Sequence, residues 1–394
     1  MTIDLPELLP QIQQAGDEIA QQLQARAARL PEAVQALSAC TSLDRDALDA
    51  KLAKAGDRWP GAVPTTGDLT KSTPPPPPPA TFSVLGADGS QILPDRHSPV
   101  LYYMINIGSL MITVGGGEAP VTSTQTRLHF NEEDLYLASG SLVGPEIIHA
   151  RRDVQELAEL ARLAGSCQGT QTLALVDNGL LLWLALQVQD QPRQIVDELT
   201  QAYLGQLSAL RAAGAAVAGV IDRPRHANVL ALLHLVNLRL EAITEEALRT
   251  NPYRGLTDRA LFASLLEQGD RSATFIYASP VNRAFRAAGH EIAFFYLRPP
   301  GSDDVLRVEI PAWVAEAPGL MDLVHAGILQ QGRATGGFPY ALARAHEIAR
   351  VGQAERQLVD DQLGTTLLAH GIHTRRSQKA ITKRWLGGRK RHSL

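Results

Sequence analysis

Cysteine is scarce: Cys40 and Cys167 are the only two in 394 residues. They lie far apart, with no CxxC pair and no cysteine–histidine cluster, which excludes a disulfide framework and a structural zinc site. Long apolar runs are missing as well. A membrane span needs roughly 20 consecutive apolar residues, and even the stretch 173–188 is broken by Asp177 and Asn178. The first residues, MTIDLPELLPQIQQAGDEIAQQ, carry acids and prolines where a secretory signal has a basic start and an unbroken apolar core. No Gly-Lys pair occurs, so there is no Walker A loop, and any ATP-driven motion has to come from a partner. Internal repeats are also lacking. These absences predict a soluble, cytoplasmic protein with no membrane contact.

The residues that are present predict a folded α/β protein. Hydrophobic residues make up 45% of the chain, and 37 basic against 41 acidic side chains leave a net charge of −4. At this length that is enough for a sizeable core in one large domain or two ordinary ones. From Pro6 to Lys54, Leu8, Ile12, Ile19, Leu23, Leu30, Val34, Leu37 and Leu48 recur at helical spacing, which predicts two or three amphipathic helices, interrupted or begun at Pro10 and Pro31. Residues 60–80, ending in Pro74 to Pro79, read as an extended linker that neither pairs into a sheet nor continues a helix. The expected organisation is a helical segment over 1–58, a Pro-rich linker over 59–80, an α/β domain over 81–374 and a basic tail over 375–394.

Within the α/β domain, β-branched and aromatic residues predict strands over 81–87, 101–114 and 121–130. A helix over 148–163 follows, then strands over 173–176 and 180–188, a helix over 195–213 and a strand over 216–221. Helices are expected near 227–240 and 258–268, strands near 273–277, 291–297 and 305–310, and further helices from Leu320 onward. Strands that first meander and then alternate with helices predict a mixed sheet flanked by helices.

Five groups of residues carry chemistry. The apolar strand Val84-Leu85-Gly86-Ala87 leads into Asp88-Gly89-Ser90, which places a carboxylate where a strand ends, although Asp-Gly-Ser is also ordinary turn chemistry. Leu173-Ala174-Leu175-Val176 leads likewise into Asp177-Asn178-Gly179. Between them lies a helix carrying Glu156 and Glu159 on one side. Two strand-end aspartates with a helical glutamate make an all-oxygen site for Mg²⁺ or Mn²⁺, while each acid alone also fits a turn or a solvated helix face. Gly336-Gly337-Phe338-Pro339-Tyr340 opens a helical stretch with His346, a residue able to bind metal or donate a proton. The tail holds Arg375, Arg376, Lys379, Lys383, Arg384, Arg389, Lys390 and Arg391 with no acid among them, suited to a phosphate backbone or simply to solvent.

In this order, the Asp88-Gly89-Ser90 strand end, the helix from Arg152 to Glu156, the Leu175-Val176-Asp177-Asn178-Gly179 turn and the segment from Phe338-Pro339-Tyr340 to Ala345-His346 resemble the NurA nuclease family. The resemblance spans about residues 82–379 and leaves the N-terminal helices and the linker outside it. It implies an RNase H-like core and a Mn²⁺- or Mg²⁺-dependent nuclease acting on DNA. It further implies a homodimer that works with a HerA-type hexameric ATPase in DNA end resection during double-strand-break repair. On this sequence the resemblance makes Asp88, Glu156, Asp177, Tyr340 and His346 the catalytic set, with Asp88, Glu156, Asp177 and His346 as metal ligands and Glu159 as the competitor of Glu156.

Two departures from the family pattern stand out. Asn178 intervenes where the second aspartate is usually followed by glycine, and Asp222-Arg223-Pro224-Arg225 stands where many members carry a lysine. Arg223 and Arg225, with Arg375, Arg376 and Lys379, are the expected DNA contacts. Two other classes remain open: a non-catalytic DNA-binding or assembly subunit of the same fold, and an esterase-like hydrolase built on Cys167 in Gly165-Ser166-Cys167-Gln168-Gly169. The second is disfavoured because that motif follows a helix rather than a strand.

Overall fold

A computed structural model describes residues 4–56, 59–95, 98, 100–167, 169–183 and 193–373. Helices α1 (Leu5–Ser38) and α2 (Arg45–Ala55) come first, then strands β1 (Ala62–Pro64), β2 (Phe82–Ile92), β3 (Tyr103–Val114) and β4 (Val121–His129). Helix α3 (Pro145–Ser166), strand β5 (Thr172–Asp177), helix α4 (Arg193–Ala212), strand β6 (Ala216–Ile221) and helix α5 (Asn228–Asn237) follow. Strands β7 (Phe275–Tyr277), β8 (Ile292–Leu297) and β9 (Leu306–Pro311) lead to helices α6 (Pro318–Gly332), α7 (Tyr340–Ala349) and α8 (Gln353–Ala369). The contacts divide the chain into two units, one of residues 1–79, 178–181 and 217–339, the other of residues 80–177, 182–216 and 340–394.

In the first unit the strand order is β1-β7-β8-β9-β6, with antiparallel neighbours throughout. Its core joins Ala33, Leu37, Leu48, Trp59 and Leu69 from the N-terminal stretch to Leu232, Leu233, Phe275, Phe294 and Tyr296. Helix α1 is capped by Asp4, whose carboxylate accepts the Glu7 N–H, and it runs unbroken through Pro10 and Pro31. Each proline removes one helical hydrogen bond, and the turns beyond Pro31 are held by the burial of Ala33 and Leu37. The start of α2 is set by Asp44, which accepts from the N–H groups of Asp46 and Ala47. The Pro-rich stretch does pair: Ala62–Pro64 lies antiparallel to β7, and Thr73 bridges Arg271. A proline ending a three-residue edge strand leaves no ladder bond unmade.

The second unit has the order β5-β2-β3-β4. Strands β2, β3 and β4 form an antiparallel meander, and β5, reached through α3, lies parallel to β2. This is the mixed sheet flanked by helices that the strand and helix pattern predicted, in the RNase H-like arrangement that the family resemblance implied. Side chains alternate across a strand, and the contacts of β2 divide accordingly. Gly86 faces the Ala341 carbonyl and Ser90 donates to the Ala349 carbonyl, both on α7, whereas Gly89 faces Arg152 and Glu156 on α3. The two helices therefore cover opposite faces of the sheet.

Strand β2 does not stop at Asp88. Its pairing with β3 continues from Phe82↔Val114 to Ile92↔Met104, while its pairing with β5 ends at Ala87↔Val176. The turn expected at Asp88-Gly89-Ser90 is absent because one neighbour still holds the strand after the other has ended. Residues 180–183 form no strand, and the rest of the strand expected over 180–188 lies outside the described residues, as does the basic tail. No helix among the described residues is long and apolar enough to cross a membrane.

Helix α7 sits so close to the sheet that only glycine fits beneath it. A Cβ on Gly108 would stand 2.4 Å from the Ala349 nitrogen and 2.8 Å from the Ala345 oxygen, and one on Gly86 would stand 2.6 Å from the Ala341 oxygen. These obstacles are backbone atoms and cannot rotate away. Gly108→Ala is expected to lift α7 and to destabilise the protein by about 1–3 kcal/mol. Urea unfolding followed by circular dichroism checks this, and an unchanged midpoint contradicts the seating.

Candidate metal centre

The end of the β2–β5 pairing creates the site. Asp88 and Asp177 are each the next residue after the last paired position, Ala87↔Val176, of two adjacent parallel strands. The strand register thus places the two residues side by side. His346 reaches them from α7: its Nδ1 lies 2.7 Å from Asp88 Oδ2. One ligand atom from each of Asp88, Asp177 and His346 falls within 4.8 Å of the others. The Asp88 side chain is 14% exposed and that of His346 65%, so the cluster has a protected floor and an open side. The Gly89 N–H donates to Asp88 Oδ1 at 2.8 Å and fixes the carboxylate plane. After Asp177 the chain turns through Asn178, whose φ of +79° is the left-handed conformation that asparagine tolerates better than most residues. The departure from glycine therefore leaves the turn in place.

Glu156 approaches from α3 on the other face, against Gly89, where a Cβ would lie 2.7 Å from its Oε1. It is 5% exposed. Burial pushes its carboxyl well above the usual range; nearby Arg152 opposes this, while Asp153, Asp88 and Asp177 push it further up. Arg152 Nε stands 3.0 Å from Glu156 Oε1. Its N–H groups, however, are directed at Asp153 Oδ1 and Gln91 Oε1, so Glu156 Oε1 is buried with no hydrogen bond. The Arg152 guanidinium supplies a counter-charge but no hydrogen bond, so this buried oxygen, near two further acids, keeps unused capacity to bind a positive group. The donor set of carboxylates and one imidazole fits a hard divalent ion such as Mn²⁺ or Mg²⁺.

Glu159 has no such deficit. Ser109 Oγ donates to it at 2.7 Å, Gln125 Nε2 at 2.5 Å, and Arg162 through two nitrogens at 2.7 Å each. Burial alone would raise its carboxyl, but the hydrogen bonds from Arg162, Ser109 and Gln125 prevail and leave it lowered. Both glutamates do face inward from α3, yet only Glu156 shares the environment of the aspartates.

The other expected residues are placed as follows. Tyr340 is the first residue of α7 and 41% exposed. Six residues at roughly 100° each put it about 120° around the helix from His346. Arg223 and Arg225 are exposed on the turn after β6, in the first unit, and Arg223 has a positive φ of 46°. Arg375, Arg376 and Lys379 lie outside the described residues. Sequence reasoning passed over the counter-charge role of Arg152, although its spacing of four residues before Glu156 was a usable signal. It also missed the glycines that admit α7 and Glu156, because close approach leaves no mark on a single sequence.

A meander with a parallel fourth strand, and acids gathered where that parallel pairing ends, define an α/β protein of the RNase H-like class with a carboxylate–histidine centre. The chain belongs to the NurA family: the NurA domain matches residues 82–351. The crystal structure of the NurA nuclease from Sulfolobus solfataricus matches with a TM-score of 0.52 at 16% identity, over 91% of this chain and 98% of that one. Another NurA crystal structure gives 0.45 at 11% identity over 90% and 97% of the two chains. A crystal structure of NurA bound to dAMP and manganese gives 0.37 at 11% identity over 72% and 88%. At 16% identity the likeness to the Sulfolobus solfataricus structure is one of fold. No curated protein matches the sequence.

The two glutamates are expected to separate by stability. A carboxyl with a raised folded pKa favours folding fully only below its unfolded value and loses that contribution as pH rises toward the folded value. In chelator, Glu156→Gln is therefore expected to melt at or above the wild-type temperature at pH 8 and to show no such gain at pH 4. Glu159→Gln breaks a satisfied buried network and is expected to cost about 1–3 kcal/mol. Differential scanning calorimetry at both pH values checks the pair, and a Glu156→Gln protein that melts lower than Glu159→Gln at pH 8 overturns the assignment.

Proposed function

We propose that the chain is a divalent-metal-dependent deoxyribonuclease that trims DNA ends. The convergence of Asp88, Asp177 and His346 in one cluster carries this reading, and membership of the NurA family supports it. Asp88, Asp177 and Glu156 hold Mn²⁺ or Mg²⁺, with Glu156 contributing the buried oxygen that has no hydrogen bond. Bound divalent ions supply Lewis acidity, making a water nucleophilic at neutral pH and stabilising charge on the leaving oxygen of an in-line displacement. The protein's part is placement. Asp88 engages Nδ1 of His346, which orients the ring and leaves Nε2 on the exposed side to pass a proton to the leaving 3′ oxygen. Tyr340, exposed at the start of α7, borders the path of the strand. Arg223, Arg225 and the basic tail with Arg375, Arg376 and Lys379 contact DNA phosphates.

The finer reading places a homodimer with a HerA-type hexameric ATPase in end resection for double-strand-break repair, in the cytoplasm. The lack of any Gly-Lys pair supports a separate source of ATP-driven motion. An added docking face is supported by α1, where Leu5, Leu9, Ile12, Ile19 and Leu23 form an exposed apolar stripe at spacings of three, four and seven residues.

Full-length protein incubated with linear DNA and Mn²⁺ is expected to degrade it, and chelator to stop the reaction. Asp88→Ala and Asp177→Ala are each expected to lose about a hundredfold or more in rate, since even residues behind a metal's ligands typically account for 10–100-fold. Absence of cleavage by the wild type with any divalent ion returns the chain to a DNA-binding subunit. Cleavage undiminished in Asp88→Ala removes the proposed centre.

A further inference from the structure

The first unit contains a fully buried charge network that the proposed chemistry does not use. Arg307 is 0% and Glu309 4% exposed, with Arg307 Nε 3.0 Å from Glu309 Oε1. Arg307 Nη1 also donates to Asn228 Oδ1 at 3.0 Å and to Tyr296 Oη at 3.4 Å, and the guanidinium carbon lies 3.6 Å from the Phe294 ring centroid. Such a pair gives little net stability, because removing both ions from water costs about as much as their attraction returns, and well-packed apolar replacements are often neutral or better. Stability is therefore a poor explanation for its presence.

The second carboxylate oxygen points to another one. Glu309 Oε2 accepts the N–H of Leu180 at 2.9 Å, three residues after Asp177. Gly179 lies directly on the same oxygen: a Cβ there would stand 2.6 Å from Oε2. Asn178 donates its N–H, which belongs to the peptide joining it to Asp177, to the Val220 carbonyl at 3.0 Å. Its own carbonyl lies against Gly219, where a Cβ would come within 2.6 Å. The peptides that follow Asp177 are thus fixed at two N–H groups and against two glycines. This holds in place the left-handed Asn178, a conformation that costs a non-glycine residue roughly 1 kcal/mol or more.

We infer that Glu309 is a positioning residue for Asp177: held by buried Arg307, it pins the Leu180 N–H and so fixes the direction in which the chain carries the Asp177 carboxylate. The inference rests on the reading that Asp177 holds a divalent ion. Glu309 does not itself touch metal or DNA. Its charge is neutralised by Arg307, and its free oxygen serves the backbone.

Two double variants isolate the effect. Arg307→Met with Glu309→Gln removes the buried charges but keeps an oxygen for the Leu180 N–H. Arg307→Met with Glu309→Leu removes the charges and the oxygen together. Calorimetric titration of full-length protein with Mn²⁺ is expected to give wild-type affinity for the glutamine pair within about threefold. For the leucine pair the expected loss is about 10–100-fold, with kcat on linear DNA lowered and KM for DNA unchanged. A purely structural role moves the melting temperature of both variants without separating their Mn²⁺ affinities. Equal affinities in the two folded variants overturn the inference. If the leucine pair does not fold, Glu309→Asp, which keeps the charge opposite Arg307 and withdraws the oxygen by one methylene, is expected to show the same loss, and wild-type affinity there overturns the inference. A wild-type protein that binds no Mn²⁺ overturns the functional reading itself, and this inference with it.

Discussion

Two carboxylates are forced together because β5 ends one residue after its pairing with β2. Asp88 and Asp177 follow the last paired residues of parallel neighbours, so their separation is set by the strand spacing and not by side-chain choice. Two like charges with ligand atoms no more than 4.8 Å apart repel by roughly 3–4 kcal/mol at an effective dielectric of about 20. A fold tolerates that only if something positive sits beside them. The imidazole of His346 lies against one of them, and the proposed divalent cation would supply the positive charge.

The rest of the second unit serves to bring the remaining groups to that point. Helix α7 approaches over Gly86 and Gly108, whose lack of side chains lets backbone touch backbone. Ser90 and Asn106 both donate to the Ala349 carbonyl at the end of the same helix. Position and orientation of His346 follow from a helix seated at both ends. On the opposite face, Gly89 gives Glu156 the same kind of entry. Glycines in a strand interior weaken it; here the weakening is offset by contacts that any larger residue would prevent.

Burial separates two glutamates that sequence spacing could not. Glu159 has donors for both oxygens, which makes it a structural carboxylate joining α3 to β3 and β4. Glu156 lies within one turn of it on the same helix, yet it has an oxygen without a donor and a carboxyl pushed upward by burial and by the neighbouring acids. The same physical contrast recurs in the first unit, where Arg307 and Glu309 are equally buried but fully committed to partners apart from one guanidinium nitrogen.

Much of this was legible in the chain. The strands of the meander, the helix over 148–163, β5 and the later alternation of helix and strand follow from hydrophobic periodicity, which is a local property. Asp88, Asp177 and His346 were legible as candidates because acids after apolar strands and a histidine on a helix are local patterns too. The unbroken helix through Pro10 and Pro31, the pairing of Ala62–Pro64 and the continuation of β2 past Asp88 were not, since each depends on a partner distant in sequence that outweighs the local preference. Local residue patterns thus set which side chains can bind a cation and which segments extend or coil. That β5 ends where β2 continues, that an oxygen of Glu156 and none of Glu159 lacks a donor, and that Glu309 holds the peptide beyond Asp177 came from the packing of the folded chain, because register, burial and hydrogen-bond satisfaction exist only between segments.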